Sequence, residues 1–387
     1  MKNKSKYNQS RFLGYVKGLF PSLLSLFSKR DNNLIILNSF HNCVFSDNTK
    51  YLFEYLIQNE SKNVLYVVND DELRTKLESK YGKHFIDTNT KSGIKKALSA
   101  YLWITNSFEL PVSGIFLKFR RNVVQLTHGA PIKNAGLCEH DVSFIKKIYY
   151  QILRTNISFI LSTSHIFDDY IAKHLGVKTK KVLTCGYPRY DPLFKKNFIN
   201  LNFDSNCKHI LYAPTWRHYA QIKLFPFEDL DLNELNTQLK DLNVIIYIRI
   251  HPRFENSLSE DFFKFSNFKL FSGKQYPDIN DYLGNFDAMI TDYSSIMYDF
   301  MILDKPIFYF DYDYEDFNKN IGFSVDYNKF AVGYHSSSQK DFICDIIDAF
   351  KNDSYKTERN IVSKLASGVS DNNTKELIDL LKSKKIF

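Results

Sequence analysis

Short, nearly continuous apolar runs recur along the chain and alternate with stretches whose apolar positions repeat every three to four residues. In the first half the runs are LIILN (34–38), NVLYVV (63–68), LWIT (102–105), NVVQL (122–126), FILS (159–162) and KVLTC (181–185). Continuous rather than alternating apolar character suits strands covered on both faces, as in parallel sheets. Between them, Tyr51, Leu52, Tyr55 and Leu56 share one helical face, as do Phe167, Tyr170 and Ile171. After Tyr190 the run DPLFKKNFINLNFDSNCK is polar and poorly periodic, which reads as an inter-domain connection. A second series follows: HILYA (209–213), NVIIYIRI (243–250), FKLF (268–271), DAMIT (287–291) and PIFYF (306–310). The pattern predicts an α/β protein of two Rossmann-like, doubly wound parallel-sheet domains, 31–195 and 205–387, with a ligand in the cleft between them beyond the strands' carboxyl ends. A length of 387 residues, more than one core normally serves, agrees with two domains.

Residues 1–30 stand apart. RFLGYVKGLFPSLLSLFSKR (11–30) brackets Phe12, Leu13, Val16, Leu19, Phe20, Leu23, Leu24, Leu26 and Phe27 with basic residues, the pattern of a helix lying in a bilayer interface. Packing on the protein's own body is the other reading. No apolar run approaches the ~20 residues a membrane-crossing helix needs. The five cysteines are scattered without a Cys-x-x-Cys pair, so neither a zinc site nor a disulfide framework is expected, and a reducing, cytosolic setting fits. A formal charge of +8 favours anionic partners without choosing among nucleic acid, anionic lipid and phosphorylated substrate.

Candidate chemistry gathers where strands end. DAMI runs into Asp292-Tyr293-Ser294-Ser295 and then into the helix-like IMYDFMIL. A helix start leaves about four N–H groups unpaired, which suits either a serine cap or a phosphate. NVVQL is followed by Thr127-His128-Gly129-Ala130-Pro131, NVIIYIRI by His251-Pro252-Arg253, and HILYA by Pro214-Thr215-Trp216-Arg217. Two strand-end histidines and an anion cradle make a base, a phosphate partner and a phosphate site. Arg217, Arg249 and Arg253 are further phosphate candidates through bidentate guanidinium geometry, or else inter-domain ion pairs. Asp311-Tyr312-Asp313 resembles a metal-holding aspartate pair, but a magnesium site needs more context. No Gly-x-Gly-x-x-Gly, Gly-Lys-Ser/Thr phosphate loop or Gly-x-Ser-x-Gly elbow is present, against dehydrogenase, P-loop and α/β-hydrolase readings.

The runs SDNTKYLFEYL (46–56), QLTHGAPIKNAG (125–136), GYPRYDPL (186–193), ILYAPTWR (210–217), IRIHPR (248–253), ITDYSSIMYDF (290–300) and DKPIFYFDYDYEDF (304–317) together resemble the CDP-glycerol glycerophosphotransferase family. The resemblance implies a GT-B-like fold, a donor nucleotide bound mainly by the second domain, and no metal or other cofactor. It implies transfer of glycerol phosphate from CDP-glycerol to a hydroxyl of a lipid-linked or polymeric glycan, releasing CMP, in teichoic-acid, capsule or surface-glycan synthesis. His128 would be the general base and His251 would face the donor pyrophosphate. Asp292, Ser294, Ser295, Thr215, Arg217, Arg249 and Arg253 would line the donor, with Gly129 and Lys133 on the acceptor side. The family often has Trp before the first histidine and Thr after the glycine, whereas Thr127 and Ala130 stand here, which leaves the acceptor and the polyol open to differ from those of wall teichoic acid. Partners would be CDP-glycerol, the acceptor and an anionic membrane surface at the cytoplasmic face, not nucleic acid. Alternatives are a related GT-B transferase using CDP-ribitol or a nucleotide sugar, and a non-catalytic membrane-bound scaffold for anionic polymer.

Overall fold

The computed structural model describes residues 18–217, 219–250, 255, 260–368 and 370–387. The chain divides into two compact units, each built on one sheet whose strand pairs are all parallel. In the first unit the strands are β1 (Asp31–Asn38), β2 (Asn63–Val67), β3 (Phe85–Ile86), β4 (Ala100–Thr105), β5 (Asn122–Gln125), β6 (Phe159–Ser162) and β7 (Val182–Thr184). Their spatial order is β3-β2-β1-β4-β5-β6-β7. The second unit holds β8 (Lys208–Tyr212), β9 (Val244–Ile248), β10 (Phe268–Leu270), β11 (Ala288–Thr291), β12 (Ile307–Tyr309) and β13 (Tyr334–His335), in the order β10-β9-β8-β11-β12-β13. Each sheet is doubly wound, so the strand order reverses beside β1/β4 and again beside β8/β11, the switch points where such folds bind ligands.

The apolar runs do what their continuity implies. Leu34, Ile35, Ile36 and Leu37 are all fully buried, one pair on each face of the sheet. Leu34, Ile36, Leu65, Val67, Trp103 and Val123 join one core, and Ile210, Tyr212, Ile246, Ile248, Ile290 and Phe308 join another. Each such side chain contributes ~1.5–3 kcal/mol by leaving water. The eleven runs read as strands correspond to eleven observed strands, and β3 and β13 are the two that were not anticipated.

The units do not follow the expected boundaries at two places. Gly129–Asn134 belongs to the second unit and Asn372–Phe387 to the first. The Asp191 carboxylate accepts from Asn373 N (2.7 Å), Asn373 Nδ2 (3.0 Å) and Thr374 N (3.0 Å), which ties helix Asn373–Ser383 to the first unit rather than to the 205–387 segment. A helix's periodicity reveals its apolar face but not the sheet that face covers. Residues 129–134 are held by Tyr298 Oη on Pro131 O (3.2 Å), Ser324 N on Ile132 O (3.0 Å) and Asn134 N on Gly322 O (2.9 Å).

Of the amphipathic segment, residues 1–17 lie outside the described residues, and 18–27 are helical. This helix turns small residues inward. Gly18, Pro21 and Ser25 are buried, and a Cβ on Gly18 would sit 2.6 Å from Gly114 N. Leu19, Phe20, Leu23, Leu24, Leu26 and Phe27 are exposed, Phe20 by 69% and Phe27 by 81%.

Candidate functional site

In the first unit, the loop after β5 carries Thr127 and His128. Thr127 has φ +63°, in the left-handed region that a β-branched residue rarely enters. Asn48 Nδ2 donates to its carbonyl (3.0 Å), and its hydroxyl meets Tyr187 Oη. The buried Arg189, 3% exposed, donates from Nη1 to both Asp47 Oδ1 (2.7 Å) and the His128 carbonyl (3.0 Å). Asp47 in turn accepts from Asn48 N (2.7 Å) and, at Oδ2, from Asn106 Nδ2 (2.8 Å) just beyond β4. The His128 side chain is exposed and meets the Phe40 ring edge-on, with 5.6 Å between centroids. A solvent-facing imidazole on a fixed backbone can take a proton from an incoming hydroxyl.

In the second unit the ends of β8 and β11 are joined through Asp292. Its Oδ1 accepts from Thr215 N and Tyr293 N, both at 2.7 Å, and its Oδ2 accepts from Arg217 Nη1 at 3.0 Å. Arg217, 2% exposed, also gives Nη1 to Thr215 O (2.8 Å) and grips Asp313 in a fork, Nε to Oδ2 (2.5 Å) and Nη2 to Oδ1 (2.7 Å). Burial opposes its charge, but hydrogen bonding to Asp313 and attraction to Asp292 outweigh that and raise its pKa. Arg217 and Asp292 thus lie together at the ends of β8 and β11, paired with each other and holding the Thr215 loop. Asp313 is taken by Arg217 and Asp311 by His335 (2.8 Å), so the Asp311-Tyr312-Asp313 run is laid out as ion pairs.

Around this scaffold lie polar groups of a different kind. Thr215 Oγ1 and Arg249 Nη1, beyond β8 and β9, are buried without a hydrogen-bond partner. Burial lowers the Arg249 pKa, with Asp278 and Glu255 opposing. Ser294 and Ser295 are half-buried and do not form the expected cap. Ser295, in N-cap position before helix Ile296–Met301, is in the αR conformation and makes no capping bond, and the Ser294 hydroxyl meets Ile296 N only at 3.5 Å. A Cβ on Gly129 would fall 2.4 Å from Ser295 Oγ, so that close approach requires glycine. Gly129 and Lys133, expected on the acceptor side, lie in the second unit. Burial lowers the Lys133 pKa, with Asp292 opposing and Arg217 adding to the effect. His251 and Arg253 lie outside the described residues.

Sequence reasoning missed Asp47, Asn48, Asn106 and Arg189 as site residues, and considered Asp313 only as a metal ligand, not as the partner of Arg217. Asp47, Asn48 and Arg189 sat in the family-like runs SDNTKYLFEYL and GYPRYDPL, but a pair 142 residues apart is visible only once the sheet is assembled.

Comparisons with known proteins bear on the family and the fold. The chain is 30% identical over 341 residues to a teichoic acid glycerol-phosphate transferase of Staphylococcus aureus, covering 80% of this chain and 82% of that one. It is 29% identical over 361 residues to a teichoic acid poly(glycerol phosphate) polymerase of Bacillus spizizenii, covering 86% and 87%. The solved structure of the wall teichoic acid polymerase TagF superposes with a TM-score of 0.76 at 21% identity, covering 98% of each chain, which establishes the GT-B-like fold. Residues 21–380 match the family model of CDP-glycerol:poly(glycerophosphate) glycerophosphotransferases, and the chain belongs to that family.

Proposed function

We propose that this glycerophosphotransferase uses His128 as the base on the acceptor hydroxyl and the β8/β11 switch point of the second unit as the donor-phosphate site. The acceptor oxygen attacks the glycerol-side phosphorus of CDP-glycerol, the bond to the bridging oxygen breaks, CMP leaves, and the acceptor proton passes to the His128 imidazole. A hydroxyl is far too weak an acid to be ionised beforehand by a group of ordinary pKa ~6.5, so proton removal accompanies bond formation. The observation that carries the donor assignment is the pair of buried, unpartnered groups Thr215 Oγ1 and Arg249 Nη1 beside the uncapped Ser294 and Ser295. These two stand at the carboxyl ends of β8 and β9, where a diphosphate would pair them. Each donor aimed at charge developing on the leaving CMP is typically worth ~3 kcal/mol. His251, where the resemblance puts a second histidine, joins them in this reading. The ion-paired Asp311 and Asp313 supply no open carboxylates, in keeping with metal-independent chemistry.

The acceptor is a lipid-linked or polymeric glycan, approached at an anionic bilayer surface. Supporting this are the six apolar side chains that the 18–27 helix turns outward and the neighbouring Phe116 and Phe119, also exposed, with Lys29 and Arg120 among them. No helix among the described residues is long and apolar enough to cross a membrane.

Thermal-shift titration with CDP-glycerol, CDP-ribitol and a nucleotide sugar, followed by CMP release with candidate lipid-linked acceptors, tests the function. CDP-glycerol should give the largest stabilisation and support turnover in EDTA. A preference for CDP-ribitol would move the chain to that donor, and a strict metal requirement would remove the metal-free mechanism.

A further inference from the structure

The backbone on which His128 rides is unusual at two points. Thr127 (φ +63°) and Asp47 (φ +62°) are both in the left-handed region, and such residues persist only where their surroundings over-determine them. Here the surroundings are specific. Asn48 holds the Thr127 carbonyl, Arg189 holds the His128 carbonyl, and Asp47 orients Arg189 while being held by Asn106 and its own neighbour's amide. Tyr187 supports both sides, its hydroxyl on Thr127 and its ring 4.9 Å from the Arg189 guanidinium. The residues come from the segment after β1 and from the ends of β4, β5 and β7. A buried ion pair is a poor source of net stability compared with apolar packing of similar volume, so what this pair supplies is geometry. With the carbonyls of the peptides on both sides of the His128 Cα pinned, the ring is positioned through its two side-chain torsions.

We propose that Asp47 and Arg189, assisted by Asn48 and Asn106, are positioning residues that fix the His128 backbone for proton transfer; this rests on the reading of His128 as the base and extends it. The test uses the full chain and the variants Asp47→Asn, Arg189→Lys, His128→Ala and, as a control for the loss of any buried ion pair, Asp353→Asn, whose partner is Arg359 in the second unit. Kinetics of CMP release, direct CDP-glycerol binding, Tm and the ring resonance of His128 in histidine-labelled protein, identified by its loss in His128→Ala, are measured together. Asp47→Asn and Arg189→Lys should lower kcat tenfold to a hundredfold, because a displacement of about 1 Å is that costly. They should leave the Kd for CDP-glycerol within twofold and shift the His128 resonance. Arg189→Lys keeps the charge without the planar fork and should not rescue kcat. Asp353→Asn should lower Tm without moving the resonance. A His128 resonance unmoved in Asp47→Asn, or kcat within twofold of the parent in both clamp variants, overturns the proposal. Turnover retained by His128→Ala would instead remove the base assignment, while the resonance still reports whether the clamp positions the ring.

Discussion

The two sheets share a strand order, and at each switch point a buried carboxylate meets a buried arginine, yet the two pairs are spent differently. In the first unit Asp47 and Arg189 face inward on the backbone around Thr127, and the result is an exposed imidazole on a rigid support. In the second unit Asp292, Arg217 and Asp313 lock together the ends of β8 and β11, and the result is a set of buried hydroxyl and guanidinium groups still lacking partners. In the proposed mechanism the first pair supports the base and the second pair braces the loops of the donor-phosphate site. A strand-end arginine is therefore not evidence of phosphate contact until its partners are known.

The contrast can be broken most forcefully at His128. His128→Ala should reduce kcat on the order of a thousandfold, the usual scale of general-base loss, while CDP-glycerol binding measured by calorimetry changes less than twofold. Normal turnover would remove His128 as the base. Next in size is Arg217→Leu, which strands Asp292 and Asp313 as buried charges at a cost of roughly 3–5 kcal/mol. Denaturant unfolding should show that loss, and donor binding should fall with it, because the Thr215 loop is released. Were donor affinity lost with stability intact, Arg217 would have to touch the phosphate itself. Arg249→Ala is the sharper probe of the unpartnered groups. It should weaken CDP-glycerol by roughly 2 kcal/mol, about thirtyfold in Kd, with Tm nearly unchanged. An unchanged Kd would take Arg249 out of the site.

The smallest effect concerns His335, whose Nδ1 and Nε2 face Asp311 Oδ2 (2.8 Å) and Ala331 O (2.9 Å), two acceptors that suit the doubly protonated ring. Burial opposes that charge, but the Asp311 hydrogen bond outweighs it and the pKa is raised. A group whose pKa is raised by folding adds stability that is fully present below its unfolded value, ~6.5 for histidine, and is lost as pH rises through the folded value. The ring is 38% exposed, so solvent screening holds the contribution under ~1 kcal/mol. The Tm gap between the parent and His335→Gln should narrow as pH rises from about 6 to 8. A gap that widens would contradict the pairing.

Much of this protein was legible in its residues. The continuous apolar runs gave eleven of the thirteen strands among the described residues, since a strand buried on both faces leaves a local signature. β3 and β13 escaped because each has two residues at a sheet edge, too short for any period. The strand-end clusters are legible because doubly wound sheets present their carboxyl ends to ligands, and the turn after β11 is marked by its small hydroxyl residues as a place for a cap or a phosphate. What the turn does not contain is the serine cap. With Ser295 in the αR conformation, capping and cradling do not share its hydroxyl.

The chain by itself thus determined the parallel α/β class, the strand order's raw material and the places where polar chemistry would gather, all of which depend on neighbours in sequence. Tertiary structure alone decided which carboxylate each arginine serves, that residues 129–134 join the second unit and 372–387 the first, and which polar groups are left unpaired. Those outcomes depend on groups such as Asp47 and Arg189 meeting across 142 positions, and a hydrogen bond of 2.7 Å leaves no periodic trace in the sequence that makes it.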